Sequence, residues 1–120
     1  METGATNKSN SEHRFKLAYF IKHKLSILYC VADGSYTDIF FIRDDKETVS
    51  YRLSVIEKEL CTEIFLRVHK KYIVNIYFVK KINCAACTLV MINDKEIPFA
   101  RDRKNEIIAI LTGQGHVPEE

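Results

Sequence analysis

The chain reads, from residue 65 to residue 75, Phe65-Leu66-Arg67-Val68-His69-Lys70-Lys71-Tyr72-Ile73-Val74-Asn75. Two apolar runs of the β type flank a short basic turn in this stretch. A turn framed by two strands presents its charges from a rigid base, and its lysines can reach phosphate oxygens or the acceptors on guanine edges in a major groove. Composition alone favours a simpler alternative, a solvated β-turn whose lysines lie along the surface.

Short β-strands dominate the pattern on both sides of this stretch. Runs rich in Ile, Phe, Tyr and Val, separated by polar turns, predict strands over residues 17–21, 25–32, 36–43, 65–68, 72–79, 88–92 and 96–99. Polar turns are predicted at residues 33–35 and 44–46. A further turn is predicted at Asn93 and Asp94, because both residue types tolerate positive φ. The chain is therefore expected to be mainly β.

Two short helices are compatible with the remaining sequence. The apolar residues within 53–60 recur at a helical spacing, and Ser54 followed by Glu57 is compatible with a capping box. Asp102 is a good N-cap for a second helix, which Gly113 is positioned to end. We therefore predict one or two short helices beside the strands.

Length and composition restrict the class of protein. The chain has 120 residues, of which 47% are hydrophobic, and this suits one folded domain. We predict a disordered lead or linker over residues 1–14, a folded domain over residues 15–112 and a flexible tail over residues 113–120. No apolar run approaches the roughly 18 residues of a membrane span, and the polar start is unlike a signal peptide, so a cytoplasmic location is expected.

The distribution of charge is more informative than its sum, since a net charge of +2 is too small to imply a polyanionic partner. No acidic residue lies between Glu63 and Asp94. The basic residues inside that interval are Arg67, Lys70, Lys71, Lys80 and Lys81. A protein that touches phosphates places its charges in this way, although a charge run is equally the pattern of a solvated face.

The stretch from residue 65 to residue 75 resembles the signature of the LytTR family of bacterial transcriptional regulators. In that signature a Phe, an Arg and a His precede two polar or basic residues, an aromatic residue, two aliphatic residues and an Asn. Residues 27–37 resemble the family's first long strand and turn, and residues 53–60 resemble its leucine-bearing helix. Ile97-Pro98-Phe99-Ala100-Arg101 resembles the closing motif, with Ala100 where Ser is common. The resemblance covers residues 15–111 in order.

The resemblance implies a fold and a function. The fold would be elongated and mainly β, with about ten short strands and one or two short helices. The function would be sequence-specific binding of double-stranded promoter DNA, with loops entering successive major grooves and no cofactor. Related domains commonly use tandem repeats, so a second copy of the chain is expected on the same DNA. A sensor domain usually precedes the family's DNA-binding part, and none is encoded here, so we expect a stand-alone regulator or the DNA-binding part of a longer one.

The resemblance also assigns residues. DNA contacts would fall on Ser35, Tyr36, Lys70, Lys71, Arg101 and Arg103. Because an arginine can bind guanine O6 and N7 bidentately, we assign base recognition to Arg101 and mainly phosphate contact to the lysines. The signature residues Arg67, His69 and Asn75 are expected to be structural, with His69 partly buried and the Asn75 amide satisfying backbone groups.

Two other functions remain open. A protein-interaction module that modulates another regulator of the same family could keep this fold and use edge-strand pairing instead of DNA contacts. Cys84 and Cys87 form a CxxC, and a two-residue loop at Ala85 and Ala86 would bring their Cα atoms to about 5.5 Å, which a disulfide accepts. They are therefore a candidate redox pair, while a metal site lacks a second CxxC and no catalytic motif is present.

Overall fold

The computed structural model describes residues 24–113. Its elements in chain order are β1 (Ile27–Asp33), β2 (Tyr36–Phe41), β3 (Lys46–Val49), α1 (Leu53–Lys58), β4 (Phe65–His69), β5 (Tyr72–Asn75), β6 (Val79–Asn83), β7 (Thr88–Met91), β8 (Glu96–Pro98) and α2 (Lys104–Gly113). Short 3-10 turns occur at Lys24–Ser26, Ile76–Phe78 and Arg101–Arg103. The mainly β prediction is confirmed. The predicted lead at 1–14, the strand at 17–21 and the tail beyond Gly113 lie outside the described residues.

The larger sheet has five antiparallel strands in the order β3-β2-β1-β5-β4. Strand β1 is central, and its first four residues are buried, which explains the unbroken apolar run. Its side chains enter two cores: Leu28 and Tyr29 pack in one, and Ile27 and Cys30 pack in the other.

Each face of the larger sheet is covered by a different layer. Helix α1 covers one face, where Leu53 and Ile56 join a core that includes Ile39 and Ile73. On the other face, the three-stranded sheet β6-β7-β8 and helix α2 contribute to the second core, in which Ile107 is fully buried. The larger sheet is thus held rigidly between two layers, and its loops project from a fixed base.

Both helices begin differently from the sequence prediction. Helix α1 follows Arg52, which makes no side-chain capping bond, and Ser54 lies inside the first turn. The predicted capping box is therefore wrong. Asp102 is not the N-cap of α2 but lies within a 3-10 turn that Ala100 precedes, and the α-helix starts at Lys104.

The strand predictions needed several corrections, and residues 80–83 of β6 were not predicted as a strand at all. Lys46, predicted in a turn, begins β3, an edge strand whose polar residues hid it from a hydrophobicity argument. The predicted run 72–79 is divided, because Asn75 Oδ1 accepts a hydrogen bond from the Tyr77 amide at 2.9 Å and starts a 3-10 turn. The turn at Asn93 and Asp94 is confirmed, with Asp94 at a φ of 69°.

Candidate nucleic-acid interface

Three turns that are distant in sequence meet at one end of the larger sheet. Because β1 is antiparallel to both β2 and β5, the turn after Asp33 lies beside the turn that precedes Tyr72. The amide of Ala32 donates to the Lys71 carbonyl at 2.8 Å, which joins the two turns directly. We call this region, formed by residues 33–36, 69–71 and 98–102, the three-turn end.

The third turn reaches this end from the other sheet. The amide of Ala100 donates to the Val68 carbonyl at 2.8 Å, so the segment after β8 is attached to the end of β4. An open depression follows, lined by His69 and Lys70 on one side and by Pro98, Phe99 and Arg101 on the other. The structure therefore brings Lys70 and Arg101 to one surface.

Several predicted contact residues are exposed there. Ser35, Lys70, Lys71 and Arg101 are exposed, and within residues 24–113 no ion pair or hydrogen bond engages the charged groups of Lys70, Lys71 or Arg101. Tyr36 is 51% exposed beside Gly34, whose φ of 62° shapes the turn. Two exposed carboxylates, Asp33 and Asp102, also lie at the three-turn end.

Arg67 organises the β4–β5 turn from within. Its Nε donates to the His69 carbonyl at 3.0 Å, and one terminal nitrogen donates to the Lys70 carbonyl. The other terminal nitrogen forms an ion pair with Glu57 on α1 at 2.7 Å. A planar guanidinium can make these three bonds together, because its donors are fixed in a fork.

His69 and Asn75 also bind backbone groups. The Lys71 amide donates to His69 Nδ1 at 3.1 Å, and the half-buried ring packs edge-on against Tyr72 at a centroid distance of 5.7 Å. Asn75 is 2% exposed; its Nδ2 donates to the Ile27 carbonyl at 3.0 Å, while its Oδ1 accepts from the backbone, as described above. These bonds end β5 and tie it to β1.

Arg103 lies next to the three-turn end, but its guanidinium is already engaged. It donates to Glu106 on α2, at 3.1 Å from Nε and 3.4 Å from a terminal nitrogen, and it also donates to the Arg67 carbonyl. The hydrogen bond from Arg103, followed by its charge, lowers the pKa of Glu106 below the usual value. Arg103 therefore differs from Arg101, whose guanidinium is free of such bonds within the described residues.

The cysteine turn borders the same depression. Asn83 pairs with Thr88, so the turn contains four residues, and the predicted two-residue loop is wrong. Cys87 is buried, has a φ of 56°, and places its Sγ 3.8 Å from the Cys84 carbonyl oxygen. Neither cysteine is part of a disulfide. The redox pair stays a prediction.

Sequence reasoning missed the role of Glu57. Its spacing from Ser54 favoured a capping box, whereas its carboxylate reaches across to Arg67. The signal available in the sequence was a helix carrying an acid just before a strand with an arginine, which is too common to decide a contact. Among residues 24–113 no cluster of three metal-ligating side chains occurs, and no helix is long and apolar enough to cross a membrane.

Comparison with known proteins agrees with this geometry. The family model of the LytTr DNA-binding domain matches residues 19–112 of the sequence, which is most of the chain. The chain belongs to the LytTR family. Its LytTR domain is 35% identical over 71 residues to the sensory transduction protein LytT of Bacillus subtilis (strain 168), a match that covers 57% of this chain and 30% of that protein. This chain thus corresponds to less than a third of that relative.

A solved structure supports the same assignment. The LytTr DNA-binding domain of a Bacillus cereus response regulator superposes on this LytTR domain with a TM-score of 0.63 and 25% sequence identity. The superposition covers 74% of this chain and 83% of the other. The predicted family and fold are therefore confirmed, and the family is one of DNA-binding domains.

Proposed function

We propose that this LytTR domain recognises a specific promoter sequence through the three-turn end and regulates transcription there. One observation carries the proposal: three turns from different parts of the chain converge on one surface and expose Lys70, Lys71 and Arg101 with no intramolecular ion pair in the described residues. Groups that neutralise phosphates must be free to do so, and binding then gains from the release of counterions.

The residues divide the work by their chemistry. Arg101 carries the rigid fork that matches guanine O6 and N7 in the major groove, whereas Lys70 and Lys71 supply point charges suited to phosphates. Ser35 and Tyr36 contact the sugar–phosphate backbone or a thymine methyl from the neighbouring turn. Arg103, which bonds to Glu106 and to the β4 backbone, contributes positive potential more than a direct contact.

The proposal extends to paired sites on the DNA. One domain of this size covers a short segment of duplex, so a regulator gains specificity by placing two copies on tandem repeats. Whether as a stand-alone chain or as part of a longer regulator, the domain would bind each repeat in the same way.

The experiment is selection of fragmented genomic DNA from the source organism on immobilised protein, at physiological salt and with excess nonspecific competitor. The test variant combines Lys70→Ala with Arg101→Ala. A matched control combines Lys46→Ala with Arg43→Ala, which removes the first residue of β3 and an arginine of the preceding turn, both at the opposite end of the sheet. We expect a short repeated motif with the wild type and the control, but none with the test variant.

A second candidate function is a protein-interaction module that modulates another LytTR regulator. It is favoured by large apolar side chains exposed at the opposite end of the sheet, where Leu25 is 66%, Ile42 46% and Tyr77 58% exposed. The two functions differ in one outcome. If regulation of a reporter survives the loss of Lys70 and Arg101, the interaction module is correct and recognition by the three-turn end is not.

A further inference from the structure

An acidic residue lies unexpectedly close to the surface proposed to bind DNA. Glu57 is bonded to Arg67, and Arg67 in turn is bonded to the carbonyls of His69 and Lys70. Near a polyanion an unneeded carboxylate is unfavourable, because like charges repel. The bond of Glu57 to Arg67 indicates that its contribution is made through that arginine.

Arg67 connects three parts of the domain. Its side chain joins the Lys70 turn to Glu57 on α1, and its own carbonyl accepts from Arg103, two residues after Arg101. Arg67 thus helps to fix the relative position of the Lys70 turn and the Arg101 segment, beside the hydrogen bond from the Ala100 amide to the Val68 carbonyl. Two turns both contribute to the binding free energy only when they contact the same duplex at the same time.

The Arg67 guanidinium is poorly placed to be a DNA contact itself. Its side chain is 24% exposed, whereas that of Glu57 is 45% exposed, and all three of its nitrogens donate to groups of the protein. Three of the five N–H groups of this guanidinium thus donate within the protein, which favours a role in fixing the backbone of the turn over a direct contact with phosphate.

We propose that Glu57 and Arg67 are positioning residues for DNA recognition. Glu57 orients the Arg67 guanidinium, Arg67 fixes the Lys70 turn, and the pair raises affinity for the specific sequence although Glu57 carries a negative charge. The inference rests on the proposed function, since it assigns Glu57 to act through Lys70. It assigns no direct DNA contact to either residue.

The first test is Glu57→Gln, with Glu59→Gln as the matched control. Both variants remove one exposed carboxylate from the same stretch, and Glu59 makes no side-chain bond among the described residues. Affinities are measured for the operator duplex recovered by genomic selection and for a scrambled duplex of equal length. We expect E57Q to bind the operator about fivefold more weakly, the upper end of what an exposed ion pair contributes. E59Q should bind both duplexes as tightly as the wild type or more tightly.

The direction of the E57Q effect decides the inference. Simple electrostatics predicts that removing an acid strengthens binding to any DNA, so operator binding by E57Q that equals or exceeds that of E59Q overturns the proposal. The thermal midpoint of E57Q should stay close to that of E59Q. If it falls well below that of E59Q, Glu57 stabilises the whole fold and the positioning role is rejected.

Two further variants separate positioning from charge. Arg67→Lys keeps the charge but loses the fork, so we expect weaker operator binding with an unchanged salt dependence. In a double-mutant cycle, E57Q should weaken operator binding only slightly once Lys70→Ala is present, because Glu57 acts through that turn. If E57Q weakens operator binding by the same factor in the wild type and in the Lys70→Ala variant, the inference is contradicted. Failure of the wild type to prefer the operator, by contrast, contradicts the proposed function itself.

Discussion

At the residue scale, a single side chain can end a strand and connect it to another part of the chain. Asn75 ends β5 and ties it to β1 with one amide, buried to 2% exposure. Its structural role could be predicted from the sequence, because the family signature ends on Asn and a buried amide must satisfy both its oxygen and its nitrogen. The backbone groups that it binds could not be predicted, because Ile27 lies 48 residues away in the chain.

Replacing Asn75 tests this structural assignment. Asn75→Ala removes the side-chain hydrogen bonds to the buried Ile27 carbonyl and to the Tyr77 amide, so we expect a loss of about 2 kcal/mol in the free energy of unfolding. Urea unfolding measures it as a lower midpoint with an unchanged slope. Asn105→Ala, at an exposed position in α2, is the control and should lose nothing. Equal stability of the two variants would refute the assignment.

The ion pair between Arg103 and Glu106 gives a pH dependence. Because the pKa of Glu106 is lowered in the folded chain, the pair stabilises the fold above the ordinary pKa of a glutamate, and this contribution is lost as the pH falls through the lowered value. We expect Glu106→Gln to be slightly less stable than the wild type at pH 7 and equally stable near pH 2. Thermal unfolding between those pH values measures the difference. A difference that persists at low pH contradicts the ion-pair explanation.

At the element scale, patterning was informative where an element is buried and failed where it is polar. The central strand β1 and helix α1 were predictable from apolar runs and apolar spacing. Edge strand β3 was not, since Lys46 and Glu47 make it look like a turn. The start of α2 was also missed, because a 3-10 turn precedes it and Asp102 provides no cap. Where β3 and α2 begin therefore depends on tertiary contacts that the local sequence pattern does not show.

The cysteine turn is an element whose chemistry can be tested. Hydrogen peroxide can accept two electrons from the thiols of Cys84 and Cys87, giving one disulfide and two water molecules. The Cys87 carbonyl accepts from the Phe99 amide at 3.0 Å, so closing the disulfide should displace the segment that leads to Arg101 and weaken DNA binding. Thiol counting and a DNA titration before and after peroxide measure both effects.

The thiol count has an internal control. Cys30 is fully buried, and burial raises the pKa of its thiol, so it should stay unreactive in the native protein. A Cys84→Ser variant, which cannot form the pair, should keep its DNA affinity after mild peroxide. Unchanged affinity of the wild type once the Cys84–Cys87 disulfide has formed would remove redox control from consideration.

At the scale of the whole molecule, the antiparallel topology creates the candidate site. Lys70 and Arg101 are separated by 31 positions in the sequence, and they meet because β4 and the segment after β8 are joined through Val68 and Ala100. Sequence reasoning named the exposed residues through the family signature. It did not reveal that Arg103 is bonded to Glu106, or that Glu57 and Arg67 lie behind the turn, because those contacts cross between elements.

The central claim is that the three-turn end binds DNA, and the salt dependence of binding tests it most directly. The affinity for the operator is measured across salt concentrations for the wild type, for Lys70→Ala with Lys71→Ala, and for Arg43→Ala with Lys46→Ala. Each lost phosphate contact reduces the slope of log affinity against log salt by about 0.9, so the first pair of substitutions should reduce it by about 1.8 and the second by nothing. Equal slopes for the two double variants would contradict the account.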